Sequence, residues 1–97
     1  MTDTKTTGIK EYIENNKERF FDELFSLMRI PSVSAKPEHK EDMQKCAERY
    51  AELLLEAGAD EAGVFPTEGN PVVFGSKTLD PSYKTVLVYG HYDVQPA

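Results

Sequence analysis

The sequence has little of what several classes of protein require. It contains one cysteine, Cys46, which excludes an intramolecular disulfide and is typical of proteins from a reducing compartment. Its longest unbroken apolar run, residues 86–89, is far shorter than the roughly 20 residues of a membrane-spanning helix. No apolar stretch follows residues 1–8, so we expect no secretory signal. These absences predict a soluble, cytoplasmic protein without a membrane partner.

Basic side chains are also scarce. The chain has 11 Lys and Arg residues against 17 Asp and Glu residues, a formal net charge of −6. Because nucleic acids and anionic membranes bind basic surfaces, this balance disfavours both as partners. The length of 97 residues, with 39% hydrophobic and 29% charged residues, predicts one small globular domain or a piece of a larger one.

The first half of the chain has the pattern of two helices. Prolines begin only at Pro31, and residues 9–29 before it repeat apolar side chains at helical spacing, which predicts one inward-facing stripe. A second helix is predicted from residue 37 or 38 to Gly58, a typical C-terminal cap. We interpret Cys46 as a core thiol because it lies on this helix's apolar stripe, and His39 as a solvated surface histidine. The stripe consists of Met43, Cys46, Ala47, Tyr50, Ala51, Leu54 and Leu55.

The second half has the pattern of strands and turns. Residues 62–65 and 71–75 predict two short strands joined by a turn-rich segment. Residues 85–89 are β-branched or apolar on both faces, which predicts a third strand buried from both sides. Two helices followed by three strands indicate an α/β or α+β fold.

The candidate chemistry follows the predicted third strand. In extended backbone, His91 and Asp93 point to the same side and Tyr92 points away. A neutral imidazole binds Zn²⁺ through one nitrogen, and its other N–H needs a carboxylate or carbonyl to fix the tautomer. Asp93 is placed to be that carboxylate or a ligand itself. One histidine and one aspartate cannot complete a zinc site of about four ligands, and an isolated His-x-Asp also arises by chance.

The stretch Gly90-His91-Tyr92-Asp93-Val94-Gln95-Pro96-Ala97 resembles the first metal-site motif of the M20 family of dinuclear zinc exopeptidases, in its dipeptidase and carnosinase-like branch. Residues 27–34 resemble the family's N-terminal helix and the loop after it. Residues 52–58 resemble its second helix, and residues 69–75 the strand that follows. The likeness runs from about residue 20 to residue 97 in the family's order and spacing.

This resemblance implies that His91 is a ligand to one of two zinc ions and that Asp93 orients its ring. Cobalt or manganese would also suit such a ligand. It further implies an α/β fold in which residues 1–97 form the N-terminal portion of a zinc-exopeptidase-type catalytic domain. That portion has two helices and then three strands of a mixed sheet, without the family's lid or dimerisation domain.

The full-length protein would then hydrolyse dipeptides or short peptides, as a monomer or a homodimer. Two alternatives stay open. One is an N-acyl amino-acid deacylase (desuccinylase-like) of the same architecture, although that branch usually replaces Gln95. The other is a non-catalytic remnant that acts as an interaction module.

We expect the 97-residue chain alone to be inactive. In the family, the bridging aspartate, the paired glutamates and the distal histidine all follow the motif that ends at Ala97. The measurement is peptide hydrolysis by the purified chain. Activity that survives removal of contaminating proteases would contradict this expectation.

Overall fold

The computed structural model describes residues 4–96, which form two helices followed by a two-stranded sheet. The helices are α1, Thr4–Met28, and α2, Lys40–Glu56, with a short 3₁₀ helix, Pro37–His39, directly before α2. The strands are β1, Glu61–Phe65, and β2, Val72–Ser76. Residues 1–3, part of the segment expected to carry no signal, and Ala97, the last residue of the predicted motif, lie outside the described residues.

Helix α1 begins earlier than the pattern predicted and ends just before the loop that contains Pro31. Its predicted inward stripe is largely wrong, since the stripe residues Ile9, Tyr12, Ile13, Leu24 and Met28 are exposed. Among the described elements only α2 packs beside α1, near the C-terminal end of α1, where Arg49 Nε donates to Ser26 Oγ at 3.3 Å. Neither helix of residues 4–96 is long and apolar enough to span a bilayer.

Helix α2 carries the core, as its stripe predicted. Met43, Cys46, Ala47 and Ala51 are buried, and Val33 from the preceding loop joins them. The helix packs on both strands, and Gly75 of β2 permits close contact because a Cβ there would lie 3.1 Å from Leu54 Cδ1. His39 is less exposed than we expected, because its Nδ1 bonds Asp42 Oδ2 at 2.8 Å and its side chain is 30% exposed.

The sheet is antiparallel, with Gly63 opposite Phe74 at the centre of its register. The predicted third strand and mixed sheet are wrong for residues 4–96, which contain β1 and β2 alone. Residues 86–89 instead form an irregular segment in which each residue is 81–90% exposed. A strand exists only where a neighbouring backbone accepts and donates its hydrogen bonds, and the described residues place no such neighbour there.

We predict that Gly58→Ala lowers the free energy of unfolding by about 1–2 kcal/mol. Gly58 ends α2 with a φ of +108°, which a side chain disfavours, and the turn is closed by its N–H to Leu55 O and by the Ala59 N–H to Leu54 O, both at 3.0 Å. Gly8→Ala in α1 is the matched control, expected to be neutral or stabilising by up to ~1 kcal/mol, since no atom lies within 4 Å of an added Cβ. Denaturant unfolding measures both, and equal effects would contradict the prediction.

Candidate metal-ligand site

His91 and Asp93 meet side by side, as their spacing predicted. His91 Nδ1 lies 2.9 Å from Asp93 Oδ1. In the neutral imidazole this bond places the proton on Nδ1, so that Nε2 keeps its lone pair. The His91 side chain is 78% exposed, and none of the described residues hydrogen-bonds its Nε2. The pair therefore offers one outward-facing nitrogen of the kind that binds a transition metal.

The Asp93 carboxylate is held from its other side. Ser34 Oγ donates to Asp93 Oδ2 at 2.6 Å, while Oδ1 faces His91. The Ser34 hydroxyl holds the pKa of the Asp93 carboxyl below its ordinary value, and the bond to His91 acts in the same direction. Asp93 is therefore ionised at neutral pH and can only accept hydrogen bonds.

The backbone of this segment is anchored to the loop that follows α1. Ser32 Oγ donates to the carbonyl of Tyr92 at 3.0 Å, and the Val94 N–H donates to the carbonyl of Ser32 at 2.9 Å. Ser32 is fully buried. Because these two bonds attach on either side of Asp93, they fix the position from which its side chain departs.

Tyr92 supplies a third anchor for this segment. Its hydroxyl donates to the carbonyl of Pro71, just before β2, and burial raises the pKa of this phenol. The Tyr92 carbonyl also accepts a weak bond from Cys46 Sγ at 3.6 Å. Cys46 is buried, which confirms its interpretation as a core thiol, and burial raises the pKa of the thiol.

Sequence reasoning missed three residues that hold the segment of His91 and Asp93 in place: Ser32, Ser34 and Tyr92. Both serines lie about 60 residues from the segment that they hold, a separation across which periodicity and spacing carry no signal. The resemblance of residues 27–34 to a family loop marked the place but assigned no contact to either serine. A fold was needed to bring the two segments together.

The described residues do not by themselves form a complete metal site. Residues 4–96 contain no group of three or more His, Cys, Asp or Glu side chains that could hold a metal ion. His39 pairs with Asp42 at the start of α2 and is not among the partners of His91. The nearby hollow of about 280 Å³ is lined by Ser34, Lys36, Lys40 and Asn70 among others, but not by His91 or Asp93. A neutral histidine with a carboxylate on Nδ1 fits the role of one ligand with its orienting partner.

Comparison with known proteins connects this α/β arrangement to metallodipeptidases. The Cys-Gly metallodipeptidase DUG1 of Saccharomyces cerevisiae is 34% identical over 94% of this chain and 21% of its own length. The cysteinylglycine-S-conjugate dipeptidase of Corynebacterium striatum is 30% identical over 98% of the chain and 21% of its length. The solved structure of the di-peptidase Dug1p from Saccharomyces cerevisiae superposes with a TM-score of 0.85 at 33% identity, over 94% of this chain and 21% of that one.

These comparisons confirm the predicted resemblance to dipeptidases and the α/β fold class. No family model matches the chain. The chain spans about a fifth of the length of the relatives that it matches. It is therefore similar in sequence and fold to one segment of these dipeptidases.

We predict that Ser32→Ala destabilises the protein by about 1–2 kcal/mol, because the partly buried Tyr92 carbonyl loses its hydroxyl donor. The Val94 amide, bonded to Ser32, should then exchange with solvent faster. Ser76→Ala is the matched control, since its hydroxyl bonds the Glu61 carboxylate on the surface, and its effect should stay within ~0.5 kcal/mol. Denaturant unfolding and hydrogen exchange measure the difference, and equal values for both variants would disprove the anchoring role.

Proposed function

We propose that this chain is part of a metal-dependent dipeptidase in which His91 is a metal ligand and Asp93 positions it. The observation that carries the proposal is the connected series Ser34–Asp93–His91, with bonds of 2.6 and 2.9 Å that leave Nε2 outward. This series lies in a chain that is similar to dipeptidases over 88–98% of its length.

The chain's own residues prepare the ligand. The Ser34 bond keeps Asp93 ionised, and Asp93 Oδ1 accepts a hydrogen bond from the Nδ1–H of His91, which orients the ring and leaves the lone pair on Nε2. When bound, the metal would polarise a peptide carbonyl and lower the pKa of a water molecule. We propose zinc as that metal, with two ions in the complete site as the M20 resemblance implies, and cobalt or manganese as substitutes.

The substrate class follows from the relatives. Two of them are named for cysteinylglycine or its S-conjugates, so we propose dipeptides of the Cys-Gly type as substrates of the whole protein. We propose that the whole protein acts in the cytoplasm and forms a homodimer. The ligands beyond His91 would come from residues other than those described, since residues 4–96 hold no three-donor cluster.

The first test is the intact mass of the protein from its natural source, followed by hydrolysis of Cys-Gly. We expect a mass well above 10.9 kDa and metal-dependent cleavage. His91→Ala should lower kcat/KM at least about 100-fold, and Asp93→Ala about 10- to 100-fold. His39→Ala is the matched control, because it removes the chain's other histidine, and it should change activity by less than about twofold.

The other outcomes identify the alternatives. Cleavage of N-acyl amino acids but not of dipeptides would replace the dipeptidase by a deacylase. A natural protein of 10.9 kDa that hydrolyses neither and retains no metal would be a non-catalytic remnant. Full activity of His91→Ala would remove His91 from the metal site.

A further inference from the structure

The loop formed by residues 30–34 makes two different kinds of contact with residues 91–94. Ser32 is buried and bonds only backbone groups there, the Tyr92 carbonyl and the Val94 amide. Ser34 is exposed and bonds a side chain, the Asp93 carboxylate. Ser32 and the Tyr92 hydroxyl thus anchor the backbone of the segment, whereas Ser34 contacts only the Asp93 carboxylate.

The orientation of the Asp93 carboxylate determines which ring nitrogen of His91 carries the proton and which keeps its lone pair. The Asp93 carboxylate is bonded through Oδ2 to Ser34 and through Oδ1 to His91, so rotation of the group weakens both bonds together. Asp93 and His91 are 39% and 78% exposed, so packing restrains neither side chain strongly. A carboxylate free to rotate would exchange its bond to Nδ1 for water, and the imidazole would revert to the mixture of tautomers found in solution.

We propose that Ser34 is a positioning residue, whose hydroxyl locks the Asp93 carboxylate so that His91 keeps its proton on Nδ1 and its lone pair on Nε2. The relevance of this lock to a metal rests on the proposed function. The lock itself belongs to this chain and exists without a metal ion. Ser34 is exposed and lies 59 residues from its carboxylate partner in the sequence.

The experiment is ¹⁵N NMR of the metal-free chain labelled at histidine, at a pH of about 8.5, where an ordinary imidazole is neutral. His39 is the chain's only other histidine, and its Nδ1 bonds Asp42 at 2.8 Å, so it serves as an internal reference. In Ser34→Ala the ratio of the Nδ1–H to the Nε2–H tautomer of His91 should fall roughly two- to fivefold, consistent with loss of one exposed charge-assisted bond. The His39 ratio should not change, and Ser34→Thr, which retains the hydroxyl, should restore the His91 ratio.

The tautomer ratios of His91 and His39 in Ser34→Ala either support or overturn the proposal. An unchanged His91 ratio in Ser34→Ala overturns the proposal, while the dipeptidase proposal is judged separately by hydrolysis with His91→Ala. Equal shifts at His39 and His91 also overturn it, because they indicate general loss of structure rather than release of one carboxylate. A fall at His91 alone supports the lock even if the whole protein proves to have no peptidase activity, an outcome that would overturn only the proposed function.

Discussion

The pair of hydrogen bonds between Ser32 and the backbone of residues 92–94 is the constraint on which the candidate site depends. Ser32, in the loop after α1, is fully buried, and an unpaired hydroxyl or carbonyl there would be costly. The Ser32 hydroxyl and the Ser32 carbonyl both bond to the extended segment of residues 92–94, and these bonds connect two parts of the chain about 60 residues apart. The tie also brings Ser34 within reach of Asp93. A buried polar residue, rather than an apolar one, therefore specifies where the exposed His–Asp pair lies.

The helices and the hairpin could be predicted because their signals are local. The apolar period and Gly58 identified α2 and its end, and the turn residues identified β1 and β2 to within one residue or so. The third strand and the packing of α1 could not be predicted correctly. Both depend on what lies beside an apolar segment, and neither residues 86–89 nor Ile9 has a neighbour among the described residues that covers it. A hydrophobic pattern indicates that burial of a segment would be favourable, but it does not show that a neighbouring element is present to bury it.

The candidate site also combines contacts that the local sequence predicts with contacts that only the fold creates. The pairing of His91 with Asp93 could be predicted from the sequence, because side chains two residues apart in an extended backbone point to the same side. The serines could not, since their contacts arise only from the fold. The described residues thus orient a single imidazole rather than assemble a set of ligands. Protein groups alone fix that orientation, through Ser34 and Asp93.

The burial of Cys46 has a consequence for the conditions in which the protein can work. Thiolates, not thiols, attack disulfides, and Cys46 is both shielded and kept protonated by its surroundings. Mixed disulfides and alkylation by electrophiles should be slow at this position. Its chemical inertness would let the fold persist in a redox environment that modifies exposed cysteines.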